Sequence, residues 1–176
     1  MKTRKEIIDL LPIGFSGCEI GIFEGAFSNY IIEKKNPRKY YMVDVFEGMA
    51  VSGDKDGNNM KTISLEQSYR SLSEKYKNNK QIIIYKGISD LFFQQIESNS
   101  LDFAYIDGDH GYHAVRRDLE NARDKVKPNG IISGHDYTER FPGVMLAVDD
   151  FLSQYSLNML VTEDGCPSYI INNKKC

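Results

Sequence analysis

Cys18-Glu19-Ile20-Gly21-Ile22-Phe23-Glu24-Gly25-Ala26-Phe27-Ser28 passes from an apolar run, through two glycines, into a helical pattern that continues to Lys34. A strand that turns sharply into a helix is the opening unit of a parallel sheet, because parallel strands can be joined only by a crossover. Outward from this unit the alternation repeats. Upstream, Thr3 to Leu11 spaces Ile7, Ile8, Leu10 and Leu11 as a short helix ended by Pro12. Downstream, Tyr40 to Val45 is an apolar run closing on Asp44, and Met49 to Met60, rich in Gly, Asp and Asn, is expected to be a loop.

Ser64 to Lys77 puts Leu65, Tyr69, Leu72 and Tyr76 on one helical face, and Ser64 with Gln67 fits a capping box. Gln81 to Tyr85, with three consecutive isoleucines, predicts a strand buried on both faces. A short helix through Leu91, Phe92 and Ile96 follows, then a buried strand over Leu101 to Ile106. Tyr112 to Val126 is helical in spacing, Pro128-Asn129-Gly130 is a turn, and Ile131 and Ile132 begin a strand. Val144, Ala147, Val148 and Phe151 mark the last helix. No helix separates Leu157 to Val161 from Tyr169 to Ile171, so these two strands should pair antiparallel. The order predicts a doubly wound α/β sheet, mostly parallel with an antiparallel last strand, and helices on both faces.

The 176 residues, read as one domain over 1–176, are enough to bury a core without disulfides. A net charge of −3 disfavours a nucleic-acid binder, which needs many Lys and Arg on phosphates. Lys2, Arg4 and Lys5 read as a solvated helix end. Cys18, Cys166 and Cys176, an odd number without close pairing, are not a disulfide framework, and Cys18 reads as core. No apolar run is long enough for a membrane span, and the N-terminus lacks a signal-peptide pattern, so the expectation is a cytoplasmic protein.

In doubly wound sheets, ligands sit beyond the carboxyl ends of the strands. Gly21 and Gly25 do not make the G-x-G-x-x-G of a dinucleotide site, and Glu19 and Glu24 beside them would repel a pyrophosphate. These acids suit a cation such as a sulfonium with its ammonium group. Asp44, some 20 residues on, is placed to accept bonds from ribose hydroxyls, and Gly87-Ile88-Ser89-Asp90 could border an adenine.

Two further strands end in charged clusters: Asp107-Gly108-Asp109-His110-Gly111-Tyr112-His113 and Gly134-His135-Asp136-Tyr137. Unpaired buried carboxylates are costly, so a substrate or hard cation such as Mg²⁺ is expected between them. Asp109, His110 and His113 are the candidate bases, with His113 directed along the following helix.

The four segments Glu19–Ser28, Val43–Gly48, Tyr105–Tyr112 and Lys127–Tyr137 resemble those of class I S-adenosylmethionine-dependent methyltransferases. The branch they are similar to is that of the small-molecule O-methyltransferases acting on macrolide and aminocoumarin sugars, with catechol O-methyltransferase more distant. The resemblance implies a Rossmann-like seven-stranded sheet with a reversed final strand. It also implies cofactor contacts from Glu19, Gly21, Gly25, Ser28, Asp44, Ser89 and Asp107, and a small-molecule or sugar hydroxyl as acceptor. In metal-dependent relatives Mg²⁺ would be held at the positions of Asp107 and of Asp136 with His135 or Tyr137, and the base would be Asp109 or His110.

The pair His135-Asp136 departs from the relatives' Asp-Asp or Asp-Asn, and imidazole binds Mg²⁺ poorly, so a metal-free enzyme with a histidine base is the other reading. Relatives often self-associate, and many cap the site with an N-terminal extension. Without one, an open cleft for a large acceptor, or a cap from a second subunit, is expected. The rivals each leave residues unused. A glycosyltransferase built on Asp107 and Asp109 has no use for the glycine turn, and a metal-dependent hydrolase none for Glu19 or Asp44. A Rossmann dehydrogenase fails on the glycines, and a non-catalytic cofactor-binding protein would not need Asp109 or His110. Asp54-Lys-Asp-Gly-Asn58 departs from a calcium loop at Asn59 and Leu65, and reads as a lid.

Overall fold

Strand β1 (Ser16–Ile20) is buried along its whole length because strands lie on both sides of it and helices cover both faces. The computed structural model describes residues 1–52 and 60–175, and the segment Asp54–Asn58 and Cys176 lie outside them. In chain order the elements are α1 (Arg4–Asp9), β1, α2 (Ala26–Lys35), β2 (Lys39–Asp44), β3 (Met49–Ser52), β4 (Lys61–Ser64), α3 (Leu65–Tyr76) and β5 (Ile82–Lys86). There follow α4 (Ser89–Phe93), β6 (Leu101–Ile106), α5 (Tyr112–Lys125), β7 (Val126–Gly134), α6 (Pro142–Tyr155), β8 (Met159–Val161) and β9 (Tyr169–Asn172). The seven-stranded sheet runs β5-β2-β1-β6-β7-β9-β8, with β9 reversed against both its neighbours. This is the doubly wound, Rossmann-like architecture expected from the alternation.

The period of two along the strands sorts the core into two layers. Cys18, Ile20, Ala104 and Ile106 face α4, α5 and α6, where Phe92, Leu119, Val148 and Phe151 close the packing. Tyr40, Met42, Phe103 and Tyr105 face the other way, against Ile7 and Ile8 of α1, Phe27 and Ile31 of α2 and Leu72 of α3. The short helix α1 is thus held by two isoleucines with no exposed surface.

Three local readings change. Met49–Ser52 is not loop: it pairs antiparallel with Lys61–Ser64 as a two-stranded sheet beside the main one. The triple isoleucine belongs to an edge strand, with Ile82 buried but Ile83 and Ile84 only half-buried, because β2 flanks β5 on one side alone. Pro128-Asn129-Gly130 does not precede β7 but bulges within it. Leu101 pairs with Val126 and Phe103 with Ile131, and Asn129 takes a left-handed φ of 64°. At α3 the predicted cap is present, the Ser64 hydroxyl accepting from the Gln67 amide at 3.4 Å. No helix among the described residues is long and apolar enough to cross a membrane.

Candidate active site

Four backbone bonds carry the strand ladders one residue past the carboxyl edge of the sheet. Gly21 donates to Val43, Gly87 to Asp44, Asp107 to Ile20 and His135 to Ile106, at 2.7–3.0 Å. They set the glycine turn and the two charged clusters side by side along the floor of a cleft of about 970 Å³. Glu19, Gly21, Asp44, Ser89, Asp107, Asp109, His110, His135 and Asp136 all line this cleft. Gly25 and Ser28 do not: they stand behind its wall.

Gly21 has φ 87°, and a Cβ there would lie 2.0 Å from the Asp107 carbonyl oxygen. The left-handed φ and the close passage of the chain at the end of β6 together require glycine here. Gly25, at φ 78°, caps α2, and a Cβ would meet Leu72 at 2.7 Å. Ser28 is fully buried and donates its hydroxyl to Glu19, which also accepts from Tyr40 at 3.0 Å. Burial nonetheless pushes the Glu19 carboxyl up to about 8. Asp44 is already engaged: one carboxylate oxygen accepts from the Ile22 and Phe23 amides at 2.7 and 3.2 Å, the other from Phe46 at 2.7 Å. It fixes the shape of the turn, and lone pairs remain for a ribose hydroxyl. Ser89, at the start of α4, lies within hydrogen-bond reach of Asp118, a buried acid raised to about 6 by desolvation.

At the other end of the cleft, Asp136 is the hub. It adopts φ 62° and is almost fully buried. One oxygen lies 2.7 Å from His110 Nε2; the other lies 3.0 Å from His135 Nδ1 and 2.6 Å from Cys166 Sγ. Burial alone would raise its pKa, but the bonds from His135, Cys166 and His110 hold it well below the carboxylate range. An ionised Asp136 can only accept, so His110 donates to it from Nε2, and its other ring nitrogen, Nδ1, is not used in that bond. The His110 ring is stacked on Phe141 at 4.3 Å, which fixes its plane. For His135, burial disfavours the imidazolium, yet Asp136 and Asp107 more than offset this and raise its pKa.

The other candidates separate. Asp109 accepts from the Gly111 amide at 2.6 Å and shapes the entry to α5. His113 is outside the cleft lining and packs edge-on against Tyr112. The Tyr137 hydroxyl is tied to Asp149 at 2.7 Å, away from the cluster. Arg4, read as a solvated helix end, instead lines the cleft and pairs with Asp107 at 3.2 Å. The sequence signal was masked because the partners lie 103 positions apart in the chain.

Mg²⁺ at Asp107, His135 and Asp136 was tested against this donor set. Ligand atoms of Asp107, His110 and Asp136 do converge within 4.8 Å, as do those of His135, Asp136 and Cys166. Both carboxylates, however, are already compensated by Arg4 and two histidines, and the remaining donors are nitrogen and sulfur. A hard cation that demands oxygen does not fit this set.

A family model described as a methyltransferase domain matches residues 18–137. Solved structures with the same fold include the O-methyltransferase NovP, 18% identical over 98% of this chain and 80% of that one, TM-score 0.64. A Streptococcus mutans protein crystallised in complex with SAH is 11% identical over 98% of both chains, TM-score 0.67. The CurJ carbon methyltransferase is 15% identical over 96% of this chain, TM-score 0.62, and this chain spans 51% of its length. No curated protein matches the chain in sequence.

Proposed function

Because the chain belongs to the methyltransferase-domain family, we propose that it moves the methyl group of S-adenosylmethionine to a hydroxyl oxygen of a small molecule or sugar. The observation that supports this reading is the His110–Asp136 pair on the wall of the cleft that the glycine turn, Asp44 and Ser89 also line. When bound, S-adenosylmethionine supplies a methyl group activated by a positive sulfur. Asp44 would accept from the ribose through its remaining lone pairs, Val43, Val45 and Ile88 would flank the base, and Ser89 would meet its edge. Glu19, Gly21 and Asp107 line the part of the cleft nearest the charged clusters.

His110 is the group we assign as general base. On transfer, the methyl carbon would bond to the acceptor oxygen and leave its sulfur, which would keep the electron pair. The hydroxyl proton passes to His110 Nδ1, and Asp136 stabilises the resulting imidazolium across 2.7 Å. The products are a methyl ether, S-adenosylhomocysteine and a proton, which His110 releases to solvent. Asp109 then serves as a turn former rather than the base. No step is assigned to Mg²⁺.

Calorimetric titration with S-adenosylhomocysteine tests the cofactor, and transfer of labelled methyl to a panel of sugars and phenols tests the acceptor. Saturable binding with alkali-stable methyl products is expected. A protein that ignores the nucleoside at millimolar levels would sink the proposal, and product methylated only on nitrogen or carbon would sink its hydroxyl part.

A further inference from the structure

Arg4 stands at the charged end of the cleft, and the core rather than an ion pair puts it there. It opens α1, whose Ile7 and Ile8 are wholly buried, so the helix position is set by packing. Its guanidinium lies 4.5 Å over the Phe27 ring, and its Nη1 donates to Asp107 at 3.2 Å. A guanidinium has five donors in a planar fork, more than this bond uses. The other arginine lining the cleft, Arg117, pairs with Asp90 at the opposite end, at 3.4 Å, and no lysine lines it among the described residues. Where Arg4 and Asp107 meet, the cleft therefore offers a guanidinium beside a carboxylate, with the His135 imidazole 3.6 Å from that carboxylate and Glu19 favoured in its protonated form by burial. That is the complement of a zwitterion, a carboxylate and an ammonium on one carbon.

We propose that Arg4 is the carboxylate clamp for the amino-acid tail of the nucleoside ligand. The tail's carboxylate docks on the guanidinium fork, and its ammonium docks on Asp107. The resting Arg4–Asp107 pair is thus exchanged for two charge-assisted contacts, leaving no charge of the cluster uncompensated. Arg4 is then a discriminating residue. It selects a nucleoside that carries the amino-acid tail over one that lacks it. This rests on the cleft being an S-adenosylmethionine site.

The test compares two probes by calorimetry, S-adenosylhomocysteine and 5′-methylthioadenosine, the latter sharing the nucleoside and sulfur but lacking the tail. Arg4→Ala should weaken the first about 10- to 100-fold, the range for a charge-assisted bond, and the second by less than about twofold. Arg4→Lys, which keeps the charge but not the fork, should fall between. It also carries the test should the alanine variant fold poorly. Lys5→Ala, on the same helix over the Tyr30 ring and outside the lining, should change neither. Equal losses for both probes in Arg4→Ala, or none for either, overturn the clamp while leaving the cofactor reading intact. A wild-type protein that binds both probes equally well does the same. A wild-type protein that binds neither removes the cofactor reading and the clamp with it.

Discussion

Three donors converge on Asp136: His110, His135 and the Cys166 thiol. The arrangement supports the role we assign to His110, with its Nε2–H directed at Asp136. His110→Ala should lower kcat about 10²- to 10⁴-fold, the usual worth of a general base, with S-adenosylhomocysteine affinity unchanged in calorimetry. A variant that keeps its rate would return the role to Asp109. Glu19 yields a different expectation, about pH. Burial raises its folded pKa to about 8 from a reference of 4.5. The sign follows: the protonated form is favoured in the folded state, so the contribution is full below the unfolded value and is lost as pH rises through the folded one. Asp107, also raised by burial, to about 6, adds to the same slope at lower pH. Urea midpoints should therefore fall between about pH 5 and pH 9, and Glu19→Gln should flatten the upper part of that slope. A steeper slope in the variant would contradict this account.

At the level of elements, the turn after β1 is the most demanding piece of backbone. Gly21→Ala must place a side chain in a left-handed conformation and against the Asp107 carbonyl. A loss of at least about 1–2 kcal/mol from the conformation alone is expected in denaturant unfolding. The alternation of strands and helices was legible because each element carries its own period. The β3–β4 pair was not legible: four residues over Met49–Ser52, next to a Gly- and Asp-rich run, show no period long enough to recognise. The edge position of β5 was equally hidden, since three isoleucines in a row look the same beside one neighbour as between two. In the site, the acids and imidazoles at the ends of β6 and β7 could be read from spacing, but their division of labour could not. That His110 is oriented and Asp109 occupied depends on bonds to Asp136 and Gly111 that only folding reveals.

Taken whole, the molecule places its charge where the sheet ends. Since imidazole, thiol and guanidinium already engage the two carboxylates, turnover should change less than about twofold on adding EDTA or Mg²⁺, measured as methyl transfer in a stopped assay, because the donor set is unsuited to that ion. Collapse of the rate in chelator, restored by Mg²⁺, would show that the cluster rearranges around a metal. The four amides of Gly21, Gly87, Asp107 and His135, which knit the cleft floor to the strands beneath, carry a last consequence. These residues lie in connecting segments, yet their protons are held by the sheet itself. In heavy water they should therefore exchange as slowly as those of β1 and β6, opening only with global unfolding, while the surrounding surface loops exchange quickly. Whatever occupies the cleft would then rest on ground as firm as the centre of the protein.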